Sequence, residues 1–248
     1  MKVGVICEGP TGFYAISEFF GELLKSFNIE ASFVDIQPTM DNTRANAGWG
    51  HVFLWLKNNT PNTRIHKYLG SGLFSHGLSA KVVDVLLIQI DTDILENESF
   101  QKYIEKNYDC IVTKGIISPD ERALEIEKIL SQASGLDQLS EEDKNRHIIC
   151  PAVESTEAWC ICVFKKKKDS YRNLSGQELI NQFGQMYALY MENKKSSQTE
   201  YSTINKDPDR RLNFCRSQKI NSKSLLQNFP EIKNSIKSLK LQSKKYNT

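Results

Sequence analysis

The chain has 248 residues, of which 40% are hydrophobic and 25% are charged, with a formal net charge of +2; this composition is ordinary for one or two globular domains. No run of 18 or more apolar residues is present and the chain passes directly from Met1 into a strand, so neither a transmembrane helix nor a signal peptide is predicted. None of the six cysteines forms a Cys-x-x-Cys pair, and we expect reduced, buried thiols in a cytoplasmic protein without membrane partners.

Apolar runs and helical periodicities alternate along the chain. Short apolar runs predict strands, in chain order, at residues 2–7, 31–36, 82–90, 110–113 and 147–150. Helical spacing and helix-start residues predict helices at residues 12–27, 49–56, 98–107, 118–133, 154–164, 170–192 and 221–241, with a polar loop at 193–209. Thr11 is the predicted N-cap of the first helix, and Pro230 is expected to interrupt the last.

This alternation predicts an α/β fold with a mostly parallel sheet and helices on both faces. At Lys165 the chain enters a run of four lysines, which marks a change in charge. We therefore predict one domain at residues 1–164 and a basic, largely helical extension at residues 165–248.

Three of the predicted strands end near carboxylates. Glu8 follows the first strand, Asp91 and Asp93 follow the third, and Glu154 and Glu157 come shortly after the fifth. Ligands of open α/β sheets bind beyond the carboxyl ends of the strands, so we expect these side chains to converge. Converging carboxylates without a matching Lys or Arg repel one another, and their hard oxygen atoms favour Mg²⁺ or Mn²⁺. All five acids are candidate ligands of such an ion.

Each acidic motif also has a purely structural explanation. In a continuing strand Asp91 and Asp93 share one face and suit one cation, but an Asp in a turn also caps the next element. On a helix Glu154 and Glu157 share one face, although both residues also favour a helix N-terminus. Glu8 can likewise interact with backbone N–H groups near the first helix.

Two of these motifs, in their order and local sequence, resemble the Toprim domain. The resemblance rests on Glu8-Gly9 after the first strand and Asp91-Thr92-Asp93 after a later strand, and it covers residues 1–164. The segment from Glu154 to Trp159 also resembles the Glu-x-x-Glu-small-Trp segment of small, stand-alone Toprim-like proteins linked to phage defence. Toprim domains occur in topoisomerases, bacterial primases and nucleases related to the overcoming-lysogenisation-defect proteins.

The resemblance implies an Mg²⁺- or Mn²⁺-dependent nuclease that acts on DNA or RNA, as a toxic effector of anti-phage defence with a separate ATPase as partner. It assigns catalysis and metal binding to Glu8, Asp91 and Asp93. Many Toprim nucleases carry a further acid after the Glu-Gly turn, where this chain has Gly12. Either Glu154 or Glu157 replaces that ligand, or the site holds one metal, or the site is weakened. The alternative is a non-catalytic Toprim-like module that binds nucleic acid or a partner ATPase.

The charge of the chain is distributed unevenly. Residues 165–248 contain 18 Lys and Arg against 7 Asp and Glu, a net charge of +11, which leaves 14 against 23, or −9, for residues 1–164. An acidic body beside a basic segment suits a metal site next to a polyanion-binding surface, although a solvated lysine-rich surface explains the same charge. The candidate phosphate contacts are Lys165, Lys166, Lys167, Lys168, Arg210, Arg211 and Arg216.

Overall fold

A computed structural model describes residues 1–38, 47–70, 81–108, 110–116, 118–165, 171–192 and 200–246. Within these segments the strands form one all-parallel sheet in the order β2-β1-β3-β4. The strands are β1 (Lys2–Ile6), β2 (Ser32–Gln37), β3 (Val85–Ile88) and β4 (His147–Ile149). The predicted α/β class with a parallel sheet is confirmed.

Helices connect the strands and form most of the C-terminal part of the chain. The α-helices are α1 (Pro10–Lys25), α2 (Trp49–Asn58), α3 (Pro61–Lys67), α4 (Glu98–Tyr108), α5 (Pro119–Ala133), α6 (Glu141–Lys144), α7 (Thr156–Lys165), α8 (Gly176–Glu192), α9 (Pro208–Gln218), α10 (Leu225–Asn228) and α11 (Pro230–Tyr246). Short 3₁₀ helices lie at Thr92–Glu96, Leu136–Gln138, Tyr171–Asn173 and Lys219–Ser224. None of the helices in the described segments is both long enough and apolar enough to span a bilayer.

Side chains that alternate along the strands form a hydrophobic core on each face of the sheet. Val3 and Val5 of β1 belong to the core on one face, which α1, α7, α8, α9 and α11 complete. Ile6 belongs to the core on the other face, with α2, α4 and α5. Because successive side chains of a strand point to opposite faces, nearly continuous apolar strands are what a sheet covered on both sides requires. The predicted helices on both faces are confirmed.

The strand predicted at residues 110–113 is wrong. Cys110 and Val112 are buried, whereas Ile111 is 79% exposed, so the burial alternates as it would along a strand. The backbone N–H of Thr113, however, donates to the Glu125 carboxylate at 2.9 Å rather than to a neighbouring strand. An irregular segment that packs against the core therefore produces the same apolar pattern as an edge strand.

Two helix starts also differ from the prediction. Gly9, with an extended backbone, is the N-cap of α1, and the predicted cap Thr11 lies buried inside the helix. Helix α9 begins inside the end of the predicted polar loop. The Asp207 side chain accepts a hydrogen bond from the Arg210 N–H at its start, and Pro208 takes the first helical position.

Helices of the C-terminal segment share a core with the sheet. Phe214 of α9 and Ile236 of α11 are buried in the same hydrophobic cluster as Phe20 of α1 and Trp159 of α7. Residues on both sides of the predicted boundary between 164 and 165 thus contribute to one core. The C-terminal helices are therefore positioned to place side chains beside the acidic motifs.

Candidate active site

Glu8 and Asp91 meet where the strand order of the sheet reverses. The chain runs from β1 to β2 on one side and then returns to place β3 on the other side of β1, so the ends of β1 and β3 flank a topological switch point. The Asp91 N–H donates to Glu8 Oε1 at 2.9 Å, and Gln89 Nε2 donates to Asp91 Oδ1 at 2.8 Å. Ligands of parallel α/β sheets bind at this position.

The backbone around Asp91 and Asp93 does not continue as a strand. Asp91 forms an isolated parallel bridge with Ala152, and Asp93 lies in the 3₁₀ helix that follows. The expectation that both side chains share one face of a strand is therefore wrong. Both nevertheless line one cavity, because the tight helical turn brings Asp93 back towards the end of β3.

Glu154 is held outside helix α7 in a left-handed conformation. Its φ is 57°, so the expectation that it shares a helical face with Glu157 is wrong. The Glu154 N–H donates to Thr92 Oγ1 at 2.8 Å, and its carboxylate lies 3.3 Å from Arg122 Nε. A non-glycine residue in this region of φ is uncommon and costs on the order of 1–3 kcal/mol, and such strain is concentrated at functional sites.

Glu157 forms a buried ion pair with Arg211 of α9. Arg211 Nη2 donates to Glu157 Oε1 at 2.6 Å, and the two side chains are 0% and 3% exposed. Burial alone would raise the pKa of Glu157, but the Arg211 guanidinium holds the pKa of this carboxyl below its usual range. Of the two predicted additional ligands, Glu157 is thus neutralised by Arg211, and Glu154 is paired with Arg122.

Two cavities meet at Asp91, Glu157 and Lys206, which line both of them. One cavity, of about 180 Å³, is called the glycine-lined cavity. Besides the three shared residues it is bounded by Glu8, Gly9, Pro10, Thr11, Gly12, Ala47, Gly48, Gln89 and Thr156. The other cavity, of about 270 Å³, is called the acidic cavity. Besides the three shared residues it is bounded by Asp93, Glu96, Glu154, Ser155, Ser175, Gly176, Leu179, Ile180 and Ile204. Asp91 and Glu157 therefore border both cavities, whereas Glu8 borders only the glycine-lined cavity and Asp93 only the acidic cavity.

The three central carboxyls carry raised pKa values. Burial raises the pKa of Glu8 to about 7, and repulsion from Asp93 adds to it, while the Asp91 N–H and Lys206 lower it. Burial followed by repulsion from Glu8 and Asp93 raises the pKa of Asp91 well above its usual range. The pKa of Asp93 is also raised, by loss of solvent and by Glu157, against the opposing charge of Lys206. The cluster thus has more negative charge than its surroundings neutralise.

Lys206 is the site residue that the sequence did not reveal. It lies just before α9, it lines both cavities, and its charge lowers the pKa of Glu8, Asp91 and Asp93. The general excess of basic residues after position 164 was visible, but no motif distinguished Lys206 from its neighbours. Its placement depends on the packing of α9 against α1.

The donor chemistry of Glu8, Asp91 and Asp93 fits a hard divalent cation. Burial raises their pKa values, repulsion from neighbouring carboxylates adds to it, and an ion would relieve that repulsion. In the described part of the chain, however, no three His, Cys, Asp or Glu side chains are grouped so that they could hold an ion. The predicted metal site therefore stays a prediction.

Gly12 leaves space in the glycine-lined cavity. A Cβ built at this position would lie 3.4 Å from Gln89 Oε1 and 3.9 Å from Cys7 Sγ. A further acid at position 12 would therefore point at Gln89, which already donates to Asp91.

The basic candidates occupy different environments. Arg211 is fully buried against Glu157, so we do not retain it as a phosphate contact. Arg210 and Arg216 are exposed and lie near Asp207 and Glu18 at 3.7 and 3.3 Å. Lys165 is exposed at the end of α7 and donates to Gln182 at 2.6 Å, while Lys166, Lys167 and Lys168 lie outside the described residues.

No protein-family model, no curated protein and no solved structure matches this chain. The resemblance to the Toprim domain consequently rests on the short acidic motifs of the sequence alone. All six cysteines are buried thiols rather than disulfides, as expected from the sequence.

Proposed function

We propose that this protein is a metal-dependent nuclease of the Toprim type that hydrolyses phosphodiester bonds in DNA or RNA. The observation that carries the proposal is the hydrogen bond from the Asp91 backbone N–H to the Glu8 carboxylate at the switch point of the sheet, with Asp93 and Asp91 on one cavity. Acids that repel one another at the position where α/β proteins bind ligands are suited to a cation and its phosphate ligand.

Glu8, Asp91 and Asp93 are the residues that would hold Mg²⁺ or Mn²⁺. When bound, such an ion stabilises charge on a scissile phosphate and lowers the pKa of a water molecule. Glu8 lies on the glycine-lined cavity beside Asp91, so as a ligand of the ion it would lie next to the reacting groups. We therefore assign Glu8 a catalytic role.

Lys206 supports phosphate binding in this proposal. Its ammonium group is the positive charge that the two cavities share, and among the described residues it is not tied into a short ion pair as Arg122 and Arg211 are. A fixed positive charge beside a reacting phosphate stabilises negative charge that develops in the transition state. We assign Lys206 to contact with the scissile phosphate.

The biological role proposed for the nuclease is that of a toxic effector in anti-phage defence, working with a separate ATPase. This part of the proposal rests on the resemblance of the segment from Glu154 to Trp159 to small defence-linked Toprim-like proteins. Co-purification of the protein with an ATPase, and ATP-dependent toxicity of the pair in cells, would be its test.

A second candidate function is a non-catalytic module that binds nucleic acid or an ATPase. Two observations favour it: Gly12 stands at a position that is commonly acidic, and Glu154 and Glu157 are each ion-paired with an arginine. Such a module would bind without cutting under any divalent cation.

Calorimetric titration with Mn²⁺ separates the two candidates at the level of the metal. The wild-type protein should bind the ion, and Asp91→Asn should weaken binding strongly because one central carboxylate is removed. Asp137→Asn makes the same chemical change at an exposed position outside both cavities and serves as the control. Equal affinity of Asp91→Asn and Asp137→Asn for Mn²⁺ would remove Asp91 from the metal site.

A further inference from the structure

We infer that the glycine-lined cavity binds one phosphate group of the substrate, through the N-terminus of α1 and the hydroxyl groups of Thr11 and Thr156. The inference rests on the proposed nuclease function and adds two substrate-binding side chains to it. Neither threonine belongs to the acids that would hold the ion.

The first turn of α1 presents unpaired backbone N–H groups to the cavity. Thr11 and Gly12 both line the cavity, and within the described residues their N–H groups have no hydrogen-bond acceptor. The N-cap Gly9 has no side chain that could accept from them, and the first turn contains no acidic residue. Helix α1 is 16 residues long, so its N-terminus carries the positive end of a full helix dipole. Such a helix end favours binding of a phosphate group.

Two buried hydroxyl groups are an independent sign of a ligand in this cavity. Thr11 is 8% exposed and Thr156 is 3% exposed, and both line the cavity. In the described part of the chain neither hydroxyl has a hydrogen-bond partner, and neither oxygen atom is sealed from solvent. Buried polar groups are nearly always satisfied, so an oxygen atom of a ligand is a natural partner for each hydroxyl.

The size of the glycine-lined cavity suits a phosphate group. Its volume of about 180 Å³ lies below the range of roughly 300–1,000 Å³ that is typical of ligand pockets. A Cβ built at Gly12 would lie 3.4 Å from Gln89 Oε1 and 4.0 Å from Thr156 Cγ2, so any side chain at position 12 would narrow the cavity. The cavity therefore has room for a group of a few atoms rather than for a base.

The charges around the cavity determine when a phosphate group binds. Lys206 contributes a positive charge, and Glu157 is ion-paired with Arg211. Glu8 and Asp91 also border the cavity, and their carboxylates repel a phosphate group unless a cation offsets their charge. A divalent ion bound to these acids would offset it, so the ion and phosphate should each strengthen binding of the other.

Calorimetric titration with inorganic phosphate in the presence of Mg²⁺ tests the site without requiring cleavage. We expect the wild-type protein to bind phosphate, and Thr11→Val and Thr156→Val each to weaken binding about tenfold, because each variant loses one hydrogen bond to a charged group. Their melting temperatures should not fall, since neither hydroxyl has a partner among the described residues.

Thr113→Val is the matched control for both threonine variants. It makes the same chemical change at an exposed position outside both cavities and should bind phosphate like wild type. A wild-type protein that binds no phosphate with Mg²⁺ present would overturn the site. Equal affinity of Thr11→Val, Thr156→Val and Thr113→Val for phosphate would overturn it as well.

A variant that narrows the cavity provides a second arm. Gly12→Ala places a methyl group beside Gln89 and should weaken phosphate binding. Gly21→Ala makes the same change on the same helix, outside both cavities, and should bind phosphate like wild type. Equal phosphate binding by Gly12→Ala and Gly21→Ala would contradict the location of the site.

Competition with substrate tests whether the site serves nucleic acid. With Mg²⁺ present, inorganic phosphate should inhibit cleavage of a single-stranded oligonucleotide competitively, whereas KCl at the same ionic strength should not. Phosphate that binds without competing would overturn the assignment of this site to the substrate while leaving the nuclease function intact. Phosphate binding by a protein that cleaves no nucleic acid would instead overturn the proposed function, and with it the nucleic-acid origin of the phosphate group.

Discussion

Replacing Arg211 by methionine should strongly destabilise the protein, because it leaves the Glu157 carboxylate buried without its partner. The pair is 2.6 Å apart and almost fully inaccessible to solvent. Breaking a buried ion pair by removing one partner costs about 3–5 kcal/mol. For a chain of this length each kcal/mol lowers the melting temperature by about 2–4 °C, so Arg211→Met should lower it by about 6–20 °C.

The neighbouring residue supplies a matched control for this experiment. Arg210 is exposed, and its guanidinium lies 3.7 Å from Asp207 in a surface ion pair, so Arg210→Met should change the free energy of unfolding by less than about 1 kcal/mol. Urea unfolding followed by circular dichroism measures both variants. Adding Glu157→Gln to Arg211→Met should recover much of the stability, since no unpaired charge then remains. The reasoning is refuted if Arg211→Met is no less stable than Arg210→Met.

Two further predictions concern pH and salt. Burial lowers the pKa of His147 to about 4, from about 6.5 in an unfolded chain. Between these pH values the unfolded state binds more protons than the folded state. The contribution of His147 to stability is therefore complete above about pH 6.5 and falls by up to about 3 kcal/mol as the pH drops towards 4. Urea unfolding at pH 7 and pH 4.5 should show this decrease, and His147→Gln should lack it; an equal acid sensitivity in the variant would assign the decrease to other groups. Arg210→Gln combined with Arg216→Gln should weaken nucleic-acid binding and reduce the slope of log affinity against log salt by about one for each phosphate that the variant no longer neutralises. An unchanged slope in fluorescence anisotropy titrations would show that neither side chain binds phosphate.

The sheet was predictable because its strands are local, apolar and covered on both faces. Val85–Ile88 and Lys2–Ile6 are such runs, and they lie at the positions that the sequence indicated. Residues 110–113 have the same alternation of apolar side chains but belong to no strand of the sheet that the structure describes, and strand pairing is a property of the tertiary fold. Helix α9 was missed because its polar start resembles a loop, although Asp207-Pro208 is a recognisable cap.

The candidate site was predictable only in part. A carboxylate at a strand end is recognisable locally, as Glu8 and Asp91 are, and their direct contact follows from the order of the parallel strands. The partners of these acids come from distant parts of the chain, and no spacing rule connects Glu157 with Arg211 or Asp91 with Lys206. These long-range pairs decide which carboxylates stay available to bind a ligand, and they depend on how the C-terminal helices pack.

Cleavage of nucleic acid by Glu8→Gln gives the sharpest test of the proposed nuclease. The substitution keeps the size of the side chain and removes its charge and its proton-accepting capacity. Wild type, Glu8→Gln and the exposed control Glu141→Gln should be compared with Mn²⁺ on single-stranded and duplex DNA and RNA, alongside their melting temperatures. We predict that Glu8→Gln stays folded and loses activity by a factor on the order of 10² or more, while Glu141→Gln cleaves like wild type. Full cleavage by Glu8→Gln would contradict the assignment of Glu8 and, with it, the proposed site.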